Sequence, residues 1–166
     1  MMNIKKIAIL SIITVVSFSC KQQNKSAHTS PSETQEPTVF AIGKQITNNN
    51  FTGNVWLENL IQADSVNQNS VGSVTFEPGA RSKWHTHPAG QILLAIDGVG
   101  YYQEKGQPKK IFRKGDAIKC PADIPHWHGA STDTKFVQVA ITGREKGETI
   151  WLEAVTDKEY RSEPGI

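Results

Sequence analysis

Residues 83 to 98 read KWHTHPAGQILLAIDG, which sets His85 and His87 one residue apart and Gln91 four residues further on. In an extended segment side chains alternate between faces, so these three share a parity while Thr86 and Pro88 project to the other side. Two imidazoles on one side of a strand lie about 7 Å apart at their Cα atoms, close enough to converge on a metal ion. The alternative for each histidine is a packed, hydrogen-bonded core residue. A second pair, His126 and His128 in PHWHGA, again has one parity, opposite to that of Trp127. Trp84 and Trp127 accordingly belong to the outer face, and Arg81 and Lys83 beside the first pair read as solvated.

Positioning such side chains requires strands, and the chain supplies them. VGSVTF, SKWHTH, QILLAI, GVGYYQE, KKIFR, DAIKCP, HWHGA and KFVQVAI follow one another closely, and NFTGNVWLENLI reads as an earlier strand. EPGA, DG, EKGQP, KGD, PADIP and STDT punctuate them as turns. Connections this short favour antiparallel hairpins over helical crossovers. Only WLEAVTDKEY has room for a strand end and one helical turn, with Thr156 as its N-cap. The expectation is an all-β sandwich or barrel, whose interior holds side chains or one small ligand. Tyr101, Tyr102, Phe112 and Phe136 are candidates for its lining or its core.

The start of the chain has a different character. MMNIKKIAILSIITVVSFSC joins two lysines to an apolar run from Ile7 to Phe18 and small residues before Cys20, the layout of an export signal. The run is shorter than the roughly 20 residues a membrane-spanning helix needs. Its end, SFSC, resembles a relaxed bacterial lipobox, with Ser17 where leucine is usual. That resemblance implies cleavage before Cys20, lipidation of Cys20, and export to the periplasmic or cell-surface side of a bacterial membrane, held by the lipid anchor alone. KQQNKSAHTSPSETQEP has no large apolar side chain and reads as a flexible tether. The expected organisation is a signal over residues 1–19, a lipidated cysteine and linker over 20–38, and one domain over 39–166. The full chain carries 18 Lys and Arg against 16 Asp and Glu. Loss of Lys5 and Lys6 with the signal would bring the two into balance, leaving no basic stripe for nucleic acid. With Cys20 acylated, Cys120 is the remaining thiol, beside Pro121 in an apolar stretch, and reads as buried and structural.

GARSKWHTHPAGQILLAIDG resembles the first motif of the cupin superfamily, matched at Gly79, His85, His87, Gln91 and Gly98. GDAIKCPADIPHWHGA resembles the second, at Gly115, Pro121 and His126, with Asp123 where glycine is common. The resemblance implies a double-stranded β-helix, the jelly-roll barrel of cupins, with His85, His87, Gln91 and His126 as metal ligands and a homodimer as the assembly. FTGNVWL, PHWHGA and WLEAVTDKEY narrow it to small bacterial cupins that include manganese-dependent hydroxynitrile lyases and cupins associated with carboxymuconolactone decarboxylase. A glutamine as fourth ligand is characteristic of that subgroup.

Three imidazoles and an amide oxygen are neutral, so a divalent ion among them keeps its whole charge and is the stronger Lewis acid for it. Nitrogen and oxygen donors suit Mn, Fe, Ni, Zn or Cu, and the resemblance puts manganese first. His128 faces inward and is either a general base or a hydrogen-bonding support for the ligands. The resemblance implies a histidine acting as base on the late strand, where this chain has Gln138, an amide that can orient a hydroxyl but takes up no proton at neutral pH. The expectation is a metal-dependent enzyme, lyase-like, acting on a small oxygenated substrate. A metal-dependent dioxygenase and a non-catalytic ligand-binding lipoprotein are the alternatives.

Overall fold

The computed structural model describes residues 39–165; the expected signal, Cys20 and the tether lie outside them. Twelve strands and one helical turn follow in order. They are β1 (Lys44–Gln45), β2 (Phe51–Thr52), β3 (Val55–Ile61), β4 (Asn69–Phe76), β5 (Arg81–Ser82), β6 (His85–Thr86) and β7 (Gln91–Glu104). After these come β8 (Lys110–Arg113), β9 (Ala117–Cys120), β10 (His126–Ala130), β11 (Phe136–Gly143), β12 (Ile150–Trp151) and α1 (Asp157–Tyr160). Every strand pairing is antiparallel, as the short turns require.

QILLAI and GVGYYQE, read as a hairpin from the sequence, form one continuous strand of 14 residues. The first part of β7 pairs with β9 and β11, and the second with β8 and β10, so a single strand passes from one sheet to the other. The passage turns at Gly98, whose φ is +75°. A side chain there would meet the Lys135 carbonyl oxygen at 1.9 Å. DG therefore makes a bend within a strand, and β7 joins both halves into one curled twelve-stranded sheet. Two further expectations are corrected in the same way. NFTGNVWLENLI divides at Gly53 into β2 and β3, which pair with β5 and β4 respectively. SKWHTH divides into β5 and β6.

Val55, Phe76, Leu93, Tyr102, Phe112 and Phe136 are fully buried between the two halves and carry most of the apolar burial that holds them together. Tyr102, Phe112 and Phe136 thus belong to the core. On the outer face Trp84 and Trp127 form a second cluster with Val155 and Tyr160, covered by the C-terminal segment. That segment is anchored by α1, where Thr156 accepts from the Glu159 N–H at 3.2 Å and the Glu159 carboxylate accepts from the Thr156 N–H at 2.7 Å. Arg81 is buried rather than solvated. Its guanidinium donates to the Val155 carbonyl at 3.2 Å and to Asp157 at 2.7 Å, and lies 4.5 Å above the Tyr160 ring.

Candidate metal centre

β6 and β10 run antiparallel with His85 and His126 as direct partners, the register that brings their rings to 4.4 Å between centroids. His128, two residues along β10, points the same way, with its ring 5.2 Å from that of His85. Ring nitrogens of His85, His126 and His128 lie within 4.8 Å of one another, a group able to hold a divalent ion. His87 comes from the turn after β6, its ring 5.0 Å from His85 and 5.5 Å from His126. Gln91 does not share a strand with the histidines: the chain turns at residues 87–90, where Gly90 N–H donates to the His87 carbonyl, and Gln91 opens β7 between Thr142 and Cys120. Parity brought the imidazoles together correctly; a turn brings the glutamine. Asp123, in the turn before β10, has φ +60°, a left-handed conformation that aspartate tolerates better than most side chains.

The hydrogen bonds define which ring nitrogens are free. Nδ1 of His85 lies 2.9 Å from the Lys83 carbonyl and Nδ1 of His126 lies 2.9 Å from the Ile124 carbonyl. A carbonyl only accepts, so both rings carry the proton on Nδ1 and keep a lone pair on Nε2. Nδ1 of His87 contacts Thr149 Oγ1 at 3.1 Å. Nε2 of His87 and Nε2 of His126 are buried without a partner among the described residues. A buried unpaired ring nitrogen costs about 1–3 kcal/mol, and ligation is the arrangement in which an outward Nδ1 contact serves it. Gln91 donates to Thr142 Oγ1 at 2.9 Å, and its amide oxygen lies 4.0 Å from the Cys120 thiol. The donors present therefore fit a divalent ion.

Electrostatics agree. Burial, with the neighbouring histidines adding to it, holds His85 and His128 well below the ordinary imidazole value. Burial also lowers His126. His87 is brought down to about 3, by burial first, then by His126 and by the Arg144 guanidinium. All four rings are neutral at neutral pH, the form that binds metal. Burial pushes the Cys120 thiol up to about 12, so it stays protonated at neutral pH.

His128 is held differently. Its Nδ1 lies 2.9 Å from Nε2 of Gln138 on β11, both side chains are buried, and Gln138 Oε1 has no partner among the described residues. His85, His87 and His128, with Gln91, face a cavity of about 200 Å³ whose walls include Phe51, Leu57, Val74 and Trp151. Ser70, Thr149 and Arg144 also line it, and no motif in the sequence marks them. Thr149 and His87 are 62 residues apart in the chain, and only the closure of the barrel brings them into contact.

The described site and fold agree with comparisons to known proteins. The cupin domain family matches residues 72–142, which span β4 to β11 and include all four histidines, Gln91 and Gln138. The chain is 42% identical over 112 residues to a protein of Granulicella tundricola named (R)-mandelonitrile lyase, covering 67% of this chain and 86% of that one. A germin-like protein of Arabidopsis thaliana is 27% identical over 137 residues, with 56% of its length covered. Among solved structures, a cupin-like protein of Thermotoga maritima superposes with a TM-score of 0.72 at 43% identity, over 74% of this chain and 94% of its own. By its motifs, its curled antiparallel barrel and these relatives, the chain belongs to the cupin superfamily.

Proposed function

We propose that the cavity is the active site of a metal-dependent, lyase-like enzyme acting on a small oxygenated substrate. His85, His87, Gln91 and His126 would hold a divalent transition metal, manganese ahead of iron, nickel and zinc. The observation that carries this reading is the pair of buried Nε2 atoms on His87 and His126 that have no partner among the described residues, beside His85, whose Nδ1 proton leaves a lone pair on Nε2. The lyase part is supported by the Granulicella relative. When bound, the ion supplies a Lewis acid at a substrate carbonyl or hydroxyl oxygen.

The chain's own residues do the rest. Phe51, Leu57, Val74 and Trp151 give the cavity an apolar wall for the substrate's own apolar part. With the Gln138 amide N–H donating to Nδ1, neutral His128 carries its proton on Nε2 and presents a donor. Turning that amide over would pair its unpartnered oxygen with a protonated Nδ1 and free Nε2 as an acceptor. His128 Nε2 is thus a hydrogen-bond donor toward the cavity in one setting and an acceptor in the other, and Gln138 selects which. Export and anchoring through Cys20, and pairing as a homodimer, belong to the same proposal.

Turnover tests the reading: carbonyl, enol, hydroxy-acid and cyanohydrin substrates are offered to metal-loaded and metal-stripped protein. Metal-dependent turnover of at least one is expected. Bound metal with no turnover of any would make the protein a ligand-binding lipoprotein, and oxygen uptake with iron bound would make it a dioxygenase.

A further inference from the structure

The cavity's charge is one-sided. Arg144 is the single cation among its lining residues and no Asp or Glu lines it. The guanidinium is held in place: Nε donates to Ser70 Oγ at 3.0 Å, and Nη1 to Thr149 Oγ1 at 3.3 Å. Both hydroxyls line the cavity as well, and Thr149 Oγ1 also touches His87 Nδ1 at 3.1 Å, so one hydroxyl separates the guanidinium from the imidazole cluster. Its one carboxylate partner, Glu148 at 2.9 Å, lies outside the cavity and is 88% exposed, against 27% for Arg144. A pair that exposed is weak and easily exchanged. Nη2 has no hydrogen-bond partner among the described residues. Arg144 also borders an outer groove with Glu148 and Gln62, so it stands where the cavity opens.

We propose that the substrate is a carboxylate, a short 2-hydroxy or 2-oxo acid with an apolar substituent. Its acid group sits on Arg144, Ser70 and Thr149, its second oxygen points to the imidazoles, and its substituent lies on Phe51 and Trp151. A guanidinium fork matches a carboxylate geometrically, which an uncharged cyanohydrin cannot exploit. This inference rests on the reading of the cavity as a substrate site and goes beyond it by naming the substrate class. Arg144 is here a specificity-determining residue and holds no metal itself.

The test is calorimetric binding of mandelate and of its neutral analogue mandelamide to the purified full chain, metal-stripped and manganese-supplied. The parent is expected to prefer the acid by about tenfold or more in both states. Arg144→Gln should bring the two within about twofold, with affinity for the amide unchanged, and Arg144→Lys should keep part of the preference. Should Arg144→Gln fail to fold, Glu148→Gln remains: it removes the competing carboxylate and should tighten mandelate binding alone. Equal binding of acid and amide by the parent, binding of neither, or an unchanged preference in Arg144→Gln or Glu148→Gln overturns the inference. Manganese content measured on the same samples reports separately on the metal reading. An acid preference without any bound metal keeps this inference and removes that one.

Discussion

Nε2 of Gln138 lies 2.9 Å from Nδ1 of His128, and both side chains are buried. An amide and an imidazole so enclosed must agree on who donates, so the glutamine fixes the tautomer of the histidine. A histidine at position 138 would itself take up a proton, which an amide cannot. The expected outcome is at most weak cyanide release from mandelonitrile by the manganese-loaded parent, and an increase in Gln138→His with metal content unchanged. A positioned general base is worth about 100- to 10,000-fold. A parent as active as Gln138→His would show that His128 already serves as the base.

Stability of the metal-free protein should fall in acid. His85, His126, His128 and His87 stay neutral in the fold, the last down to about pH 3, whereas the unfolded chain protonates them near 6.5. The unfolded state therefore binds more protons below pH 6.5, and stability declines as pH drops, by up to about 1.4 kcal/mol per pH unit for each ring. Urea melts from about pH 8 to about pH 5 should show a midpoint that is level above about pH 6.5 and drops below it. A flat profile would mean that the rings are solvated.

Arg81→Ala should loosen the C-terminal segment. It removes the donors to the Val155 carbonyl and Asp157 and uncovers the Tyr160 ring, at a cost of about 2 kcal/mol. Thermal unfolding should shift down while metal content holds. An unchanged midpoint would return Arg81 to the solvated role its sequence position suggested.

In its native type of bacterium the protein should fractionate with membranes, and Cys20→Ser should release it or block its processing. The warrant is SFSC ahead of a polar tether. Identical fractionation of mutant and parent would remove the anchor.

Much of this architecture could be read locally. β10 is HWHGA as written, the capping of α1 by Thr156 follows from TDKE, and parity alone puts His85 beside His87 and His126 beside His128. What escaped depends on closure. Gly98 looks like a hairpin turn because a bend inside a strand uses the same residue, and the difference lies in partners supplied by β11 and β10. Gln91 reaches the site through a turn that parity cannot see. Arg144 and Thr149 stand in GREKGETI, just before β12, and line the cavity only in the closed fold, where β12 pairs with β6. Arg81 escaped because burial of a cation depends on the distant Val155 and Asp157.

Elemental analysis of the folded, natively purified protein tests the metal centre most directly, alongside His85→Ala and His126→Ala. The account predicts a transition metal near one equivalent per chain in the parent and loss of it in both variants, with the barrel's circular dichroism unchanged. Full occupancy in either folded variant, or no metal in a parent supplied with manganese, iron, nickel and zinc, would contradict it.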